Sequence, residues 1–248
     1  MNALVTGATG FIGSHLVREL VREKHSVRAL VLPGEDVSAL EAQGVTVWRG
    51  DLSERESLRG ICNGIDVVFH LAARVTDWGT KKQFYNAIYT ATKNLIEEAS
   101  GNAARFVYIS SSAALGCNRD LKGVKETDQP QKSGIPYNDA KLDTEKLVKS
   151  CHDSGRIACT IVRPANVTGP GSVWVRDVLD KMKGYLPLVG GGANSSSFVY
   201  IDGVYIMGRD YDVDTALTRK QLGWETKVPY GEAMERIGEW VKEVYSKQ

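Results

Sequence analysis

No stretch of the sequence approaches the ~20 consecutive apolar residues that cross a bilayer, so a helical membrane span is not expected. A charge excess is missing as well. Lys+Arg is 31 and Asp+Glu is 30, a net charge of +1 over 248 residues. That balance argues against sequence-independent nucleic-acid binding and against a polybasic membrane anchor. Cysteine is scarce, and Cys62, Cys117, Cys151 and Cys159 form no C-x-x-C pair. His15, His25, His70 and His152 are scattered. Neither a disulfide framework nor a bound metal is expected from such spacing. The first residues run straight into an apolar strand pattern without a signal peptide, which reads as a cytoplasmic protein. What remains is the composition of an ordinary soluble globular protein, 42% hydrophobic and 25% charged. The length suits one large α/β domain, alone or with a small second lobe. A chain of this size buries roughly 70% of its unfolded surface and needs no staples.

The first two thirds alternate strand and helix. Residues 2–6 are a short apolar run that stops at Gly7. Residues 11–23 carry Phe11, Ile12, Leu16, Leu20 and Val21 at helical spacing. Strands are expected at 26–32, 45–48, 66–72, 105–110 and 158–163, and helices at 83–99 and 137–151. The segment 66–72 is almost wholly apolar, as a strand buried on both faces must be. Such alternation implies βαβ units and a parallel sheet. After Pro164 the pattern loosens, with a Gly/Ser-rich patch at 190–197 and a closing helix at 230–245. The expected architecture is a Rossmann-type doubly wound parallel sheet over 1–165. A small C-terminal lobe for substrate, interleaved with the core, takes 166–248.

Gly7, Gly10 and Gly13 fall as G-x-x-G-x-x-G between the first strand and the first helix. A tight turn needs the first glycine, close approach of backbone to a pyrophosphate the second, and helix–sheet packing the third. The helix start then offers free N–H groups and a positive dipole end to phosphates. A helix-capping turn without ligand is the plainer alternative. Further along, a dinucleotide site needs ribose and adenine contacts. The second strand ends Leu30-Val31-Leu32-Pro33, without the acid that would bind a ribose 2′-OH and without an arginine for a 2′-phosphate. Arg28 lies earlier on the strand, and Glu35 and Asp36 lie just past it. This points to NAD, with NADP as the alternative. Asp51 ends the third strand, where a carboxylate reaches an adenine amino group. It can also cap a helix starting near Glu54.

Tyr137 and Lys141 are four residues apart, on one face of a helix. A phenol that moves a proton to or from a substrate oxygen needs its pKa of about 10 pulled down, and a nearby ammonium does that. Tyr89 and Lys93 repeat the spacing, so spacing alone does not choose. Tyr137 follows by 25 residues a strand that ends in Ser110-Ser111-Ser112. A hydroxyl at the carboxyl end of a parallel strand faces the crevice where such sheets bind ligands. Turn chemistry is the plainer account of those serines.

These segments together resemble the extended short-chain dehydrogenase/reductase superfamily, in its NAD-dependent epimerase/dehydratase group. The resemblance rests on Thr6-Gly7-Ala8-Thr9-Gly10-Phe11-Ile12-Gly13, Gly50-Asp51-Leu52 and His70-Leu71-Ala72-Ala73. It continues through Tyr108-Ile109-Ser110-Ser111-Ser112, Tyr137-Asn138-Asp139-Ala140-Lys141 and Arg163-Pro164-Ala165-Asn166-Val167-Thr168-Gly169. It covers about the first 200 residues, and it implies roles. Thr6, Gly7, Gly10, Phe11, Ile12 and Gly13 would hold the pyrophosphate, Asp51 and Leu52 the adenine, and Leu71, Ala72 and Ala73 the cofactor path. Ser112 would orient the substrate, Tyr137 would be the acid/base, and Lys141 its ribose-bound partner. Asn86 matches the asparagine of the family's long helix, although Ala87-Ile88-Tyr89-Thr90 departs from the usual pattern. Pro164 and Val167 would border the nicotinamide, with Asn166 beside the substrate. Val75-Thr76-Asp77-Trp78-Gly79 resembles the corresponding segment of 3β-hydroxysteroid dehydrogenase and dihydroflavonol reductase relatives, which makes Thr76, Asp77 and Trp78 substrate contacts. Trp78 as a loop aromatic covering core is the alternative.

The resemblance implies hydride exchange between a nicotinamide cofactor and a secondary alcohol or ketone. A nucleotide-sugar epimerase or dehydratase with tightly held NAD is the second reading, in which Arg176 and Lys181 would meet phosphate. A solvated helix face is the plainer account of those two. A non-catalytic cofactor-binding scaffold is the third. After Asp202 the family has several dozen residues before its closing Leu-Gly-Trp, here Leu222-Gly223-Trp224. Either the lobe is truncated or segments near 202–211 are absent from the sequence as written, and the abrupt join favours the second. The resemblance also implies a homodimer through helices 83–99 and 137–151, where Phe84, Ile88, Leu95 and Ile96 supply apolar surface. Packing of those helices on the core alone is the alternative.

Overall fold

The structure is a computed structural model, and it describes residues 1–76, 78–116, 125, 127–182, 198–201 and 228–245. The chain forms two compact units: Met1–Asn118 with Gln129–Arg163, and Arg119–Asp128 with Pro164–Gln248.

The first unit holds a six-stranded, all-parallel sheet. Its strands are β1 (Asn2–Thr6), β2 (Ser26–Val31), β3 (Thr46–Arg49), β4 (Val67–His70), β5 (Arg105–Ile109) and β6 (Ala158–Val162). They lie in the order β3-β2-β1-β4-β5-β6. This is the doubly wound Rossmann order, and it reverses direction between β1 and β4. In β1 the pleat sends Leu4 into one apolar cluster with Leu58, Ile61, Leu95 and Phe106. It sends Ala3 and Val5 into another with Val17, Leu20, Val27 and Ala29. Ala3, Leu4 and Val5 are all fully buried, which is why the strand is apolar at successive positions. Leu95 and Ile96 are equally buried, and truncating either to alanine costs about 2–5 kcal/mol.

The helices of this unit are α1 (Phe11–Arg22), α2 (Ser38–Glu41), α3 (Lys81–Tyr85), α4 (Ala91–Ala99) and α5 (Pro136–Asp153). Four differences from the sequence reading matter for the site. The helix expected over 83–99 starts earlier, at a capping box. Gln83 N donates to Thr80 Oγ1 (3.2 Å), and Thr80 N donates to Gln83 Oε1 (2.9 Å). The same helix is interrupted by a π turn, Asn86–Thr90, between α3 and α4. The strand expected over 66–72 ends at His70. Beyond it, Leu71 N still donates to the Thr6 carbonyl (3.3 Å), but Ala72 N turns to the Thr6 side chain. A 3₁₀ turn, Arg55–Leu58, replaces the helix expected near Glu54.

In the second unit, β7 (Asn166–Thr168) pairs in parallel with β8 (Phe198–Tyr200). Helices α6 (Val173–Met182) and α7 (Tyr230–Tyr245) belong to it, and α7 buries Ala233 and Ile237. At three residues each, β7 and β8 are too short for a periodic signal. Arg176 is exposed on α6, as a solvated helix face requires. The 190–197 patch, the 202–211 join, Asp77 and Cys117 lie outside the described residues.

Candidate active site

The carboxyl ends of β1 and β4 flank the point where the strand order reverses, the usual ligand crevice of such sheets. Gly7 leaves β1 with φ +69°, a left-handed conformation that glycine tolerates. A Cβ there would lie 2.9 Å from Ala72 N. A Cβ on Gly13 would lie 2.0 Å from the Gly7 carbonyl oxygen, so α1 rests directly on the turn. At Gly10, which donates N–H to the Gly7 carbonyl (3.0 Å), the nearest atom to a Cβ is that oxygen at 3.2 Å. Gly10 is the N-cap of α1, with no side chain capping the helix. The first-turn amides, among them those of Phe11 and Ile12, are therefore left for a ligand. Side-chain-free backbone facing an uncapped helix start fits a pyrophosphate.

Asp51 caps no helix. Its Oδ1 accepts Ser53 N and Ser53 Oγ, both at 2.8 Å, closing a local turn, and Oδ2 takes no part in those bonds. The N-cap of the 3₁₀ turn is Glu54 instead. Leu52 turns its side chain into the core cluster with Leu30 and Leu58. Asn94, which the sequence reading did not single out, pins this turn by donating Nδ2 to the Leu52 carbonyl (2.9 Å). The charged groups beside β2 are committed to the fold. Arg28 donates to the Ile61 and Asn63 carbonyls, Glu35 accepts Leu32 N (3.2 Å), and Asp36 accepts Ser38 N (3.0 Å).

β5 delivers Ser110, Ser111 and Ser112. Ser110 is buried, and Ser112 opens a 3₁₀ turn, Ser112–Leu115. Ser111 caps that turn by accepting Ala113 N (3.2 Å), and its side chain lies near enough to Tyr137 to lower the phenol's pKa slightly. The turn role thus falls on Ser111, and Ser112 remains the family-matched position. Tyr137, half-buried in the first turn of α5, packs edge-on against Phe84 at 6.3 Å. Burial holds its phenol above the usual range, against a smaller lowering by Ser111. The expected downward pull from Lys141 is not what this structure shows, because the ammonium is engaged elsewhere. Lys141 Nζ donates to the Ile109 carbonyl (2.8 Å) and lies 4.9 Å from the centre of the Tyr108 ring. Burial pushes Lys141 down to about 7, partly offset by the Glu145 carboxylate one turn on. Glu145 in turn forks onto Arg163, with contacts of 2.7–3.1 Å.

The structure gathers Thr6, the glycine turn, Leu71–Ala73, Ser110–Ser112, Tyr137 and Lys141 at one end of the parallel sheet. Asn86 is exposed where α3 passes into the π turn. Thr76 Oγ1 accepts Trp78 N at 3.3 Å. The Trp78 side chain covers no core: it is 83% exposed, and Val75 is 74% exposed. Pro164, Asn166 and Val167 belong to the second unit, with Pro164 and Val167 buried. Tyr89 of the duplicate Tyr-x-x-x-Lys pair lines a separate groove with Tyr85, Asp143, Lys146, Leu147 and Ser150.

The family model "NAD dependent epimerase/dehydratase family" matches residues 3–205. The chain belongs to that family. Among curated relatives of this epimerase/dehydratase-family chain, "Sterol demethylase protein B" of Methylococcus capsulatus is 33% identical over 75% of this chain and 60% of its own length. The "2-alkyl-3-oxoalkanoate reductase" of Stenotrophomonas maltophilia is 31% identical over 82% of this chain and 62% of its own. The chain therefore spans about six tenths of these relatives. The fold matches the UDP-glucose 4-epimerase of Thermotoga maritima, solved with UDP-glucose. That TM-score is 0.85 at 22% identity, over 99% of this chain and 100% of the other. Among the described residues no helix is long and apolar enough to cross a membrane, and no His/Cys/Asp/Glu group has the geometry of a metal site.

Proposed function

We propose that this protein is a nicotinamide-dependent oxidoreductase that exchanges hydride with a secondary alcohol or ketone of a largely apolar substrate. The observation that carries this is the placement of Tyr137, beside Ser111 and one helical turn from Lys141, at the same end of the sheet as the uncapped Gly7–Gly13 turn. NAD, when bound, supplies the hydride donor or acceptor. Gly7, Gly10, Phe11, Ile12 and Gly13 hold its phosphates through backbone N–H groups, and Asp51 with the Leu52 backbone receives the adenine. Arg28 is withheld from any 2′-phosphate by its bonds to the Ile61 and Asn63 carbonyls, which favours NAD over NADP. Ser111 and Ser112 hold the substrate oxygen. Tyr137 moves the proton: as a neutral phenol it donates to a carbonyl oxygen, and in the reverse direction it accepts the hydroxyl proton. Lys141 steadies the phenolate once a ligand draws its ammonium off the Ile109 carbonyl. Asn86 completes the contacts. Exposed Val75 and Trp78 give the substrate an apolar face, with Thr76 between them and the neighbouring Asp77 as a further substrate contact. The names of the sterol-demethylase and oxoalkanoate-reductase relatives support that substrate class.

The protein works in the cytoplasm, where thiols such as Cys62, Cys151 and Cys159 stay free. It pairs as a homodimer across the groove of about 470 Å³ that contains Tyr85 and Tyr89. Phe84, Ile88, Leu95 and Ile96 are spent on the core and are not the contact. A light-scattering mass of one chain removes the dimer.

The test is NADH titration of the purified protein by fluorescence, followed by turnover with 3-hydroxysteroids and 2-alkyl-3-oxo acids. Reversible binding with turnover is expected. Tyr137→Phe is expected to cut turnover by about 10²–10⁴ while NADH affinity holds, because the ring packing on Phe84 survives. Protein that releases stoichiometric NAD only on denaturation would favour the self-regenerating epimerase cycle. A Tyr137→Phe variant with full turnover would sink the assignment.

A further inference from the structure

Thr6, His70 and Thr92 form one directed hydrogen-bond chain through the core, and all three are fully buried. The direction follows from proton counting. Thr92 Oγ1 donates to the Ile88 carbonyl at 2.6 Å, so its single proton is used. It therefore accepts from His70 Nε2 at 2.9 Å, which places the ring proton on Nε2. Nδ1 is then an acceptor and takes the Thr6 hydroxyl proton at 2.7 Å. Thr6 Oγ1 in turn accepts the Ala72 amide at 3.2 Å. One end of the chain thus lies beside Gly7, and the other lies in the π turn that begins at Asn86.

We propose that His70 is a positioning residue for the dinucleotide turn, a neutral ring that fixes the Ala72 amide against Gly7 and ties both to the π turn. The geometry leaves the turn little freedom. Thr6 is covalently joined to Gly7, and a Cβ on Gly7 would come within 2.9 Å of the same Ala72 nitrogen that Thr6 holds. A shift of Ala72 therefore shifts the first glycine of the phosphate loop. A purely apolar core at this point would need no histidine, and burying three polar side chains is tolerated only because each proton has an acceptor. The ring stays neutral. Burial, with the Lys141 charge across the Tyr108 ring, pushes His70 down to about 3. The His70 and Tyr108 rings are 5.8 Å apart, and Lys141 Nζ is 4.9 Å from the Tyr108 centre. Glu145, the nearest carboxylate facing Lys141, is taken up by Arg163.

The inference rests on the dinucleotide reading above, and its test separates the two. The Gln amide nitrogen reaches the Nε2 position, so His70→Gln keeps the donor to Thr92 and loses the acceptor for Thr6. Asn places its oxygen near Nδ1, so His70→Asn keeps the Thr6 bond and loses the other. Thr6→Val cuts the same bond as His70→Gln from the opposite side. NADH affinity of the full chain is expected to fall about tenfold in His70→Gln and in Thr6→Val, the effect of one buried group left unpaired. It should fall less than threefold in His70→Asn, and the Gln/Val double variant should be no weaker than either single one. In wild type, ¹⁵N resonances of His70 should show protonated Nε2 and bare Nδ1, unchanged from pH 8 to pH 5. A folded His70→Gln that binds as tightly as His70→Asn would overturn the proposal, as would an Nδ1–H tautomer. If His70→Gln does not fold, Thr6→Val decides by the same criterion. Wild-type protein that binds no NADH while showing the expected tautomer would instead overturn the dinucleotide reading, and this positioning role with it.

Discussion

Gly13→Ala tests the packing of helix on turn most sharply, because two opposing effects of known size meet there. Gly13 lies in the first turn of α1, where alanine gains about 1 kcal/mol in helix propensity. The new Cβ, however, would sit 2.0 Å from the Gly7 oxygen, 2.7 Å from the Gly7 carbonyl carbon and 3.0 Å from Ala8 Cα. All three are backbone atoms and cannot swing aside. Ordinary contact therefore requires α1 to move off the turn by more than about 1 Å, against the buried Val17 and Leu20 that hold it to the sheet. Overpacking of this kind costs about 1–3 kcal/mol, and an immobile partner puts it at the upper end. The net expectation is a loss of about 2 kcal/mol. In urea unfolding at a slope of about 2 kcal/mol/M, the midpoint falls by about 1 M with the slope unchanged. NADH affinity falls too, since the first-turn amides leave the phosphate position. Gly10→Ala is the control. Its Cβ meets only the Gly7 oxygen at 3.2 Å, and its φ of −74° suits alanine, so stability should fall by less than about 1 kcal/mol while NADH binding still suffers. A Gly13→Ala protein with an unchanged midpoint would refute the reasoning, as would a Gly10→Ala protein destabilised just as much.

Lys141 makes stability depend on pH in a direction set by its depressed pKa. It titrates near 7 when folded and at 10.5 when unfolded, so between those values the unfolded chain binds the extra proton and stability rises with pH. Lys141→Met removes the effect. The stability difference between wild type and variant should shift in favour of wild type by a few kcal/mol from pH 7 to pH 10, and a flat difference would count against the buried ammonium. Glu145→Gln removes the carboxylate that forks onto Arg163, where the two side chains are 5% and 18% exposed, and should cost about 3 kcal/mol in urea unfolding. Replacing both, Glu145→Leu with Arg163→Met, should recover most of that loss. Asn94→Ala frees the Leu52 carbonyl and should weaken NADH binding by several-fold without changing kcat at saturation, whereas a kcat loss at unchanged affinity would argue against its role at the adenine turn.

The glycine turn and the strand–helix alternation were legible because each depends on residue type at fixed local spacing. Gly7 needs a positive φ, Gly13 needs no Cβ, and neither demand involves a distant residue. The alternation of apolar runs with helical periods likewise forces a parallel sheet, whatever the side-chain detail. Where the sequence reading slipped, a proton's destination was decided between elements far apart in the chain. The capping alternative for Asp51 does not hold, because Ser53 claims its oxygen. Lys141 was expected to pull down Tyr137, but the Ile109 carbonyl and the Tyr108 ring hold its ammonium.

Asn94 and Thr92 were missed for the same reason. Nothing in Ala91–Ala99 says which polar side chain turns inward, since Thr92 and Asn94 read as ordinary helix positions. One signal was available in β4. Val67-Val68-Phe69-His70 ends a strand buried on both faces, and a titratable ring there is expensive unless both nitrogens are bonded. A histidine in that position therefore demands a donor and an acceptor within hydrogen-bond reach, from neighbours that the strand pattern already supplies. Parallel pairing of β1 with β4 sets Thr6 against His70, and that hydroxyl is the acceptor's partner. Only the second partner, Thr92, required the structure. The buried polar residue in an apolar run is thus the point at which sequence periodicity gives way to chemistry. Here it leads from the strand core to the turn that holds the phosphates.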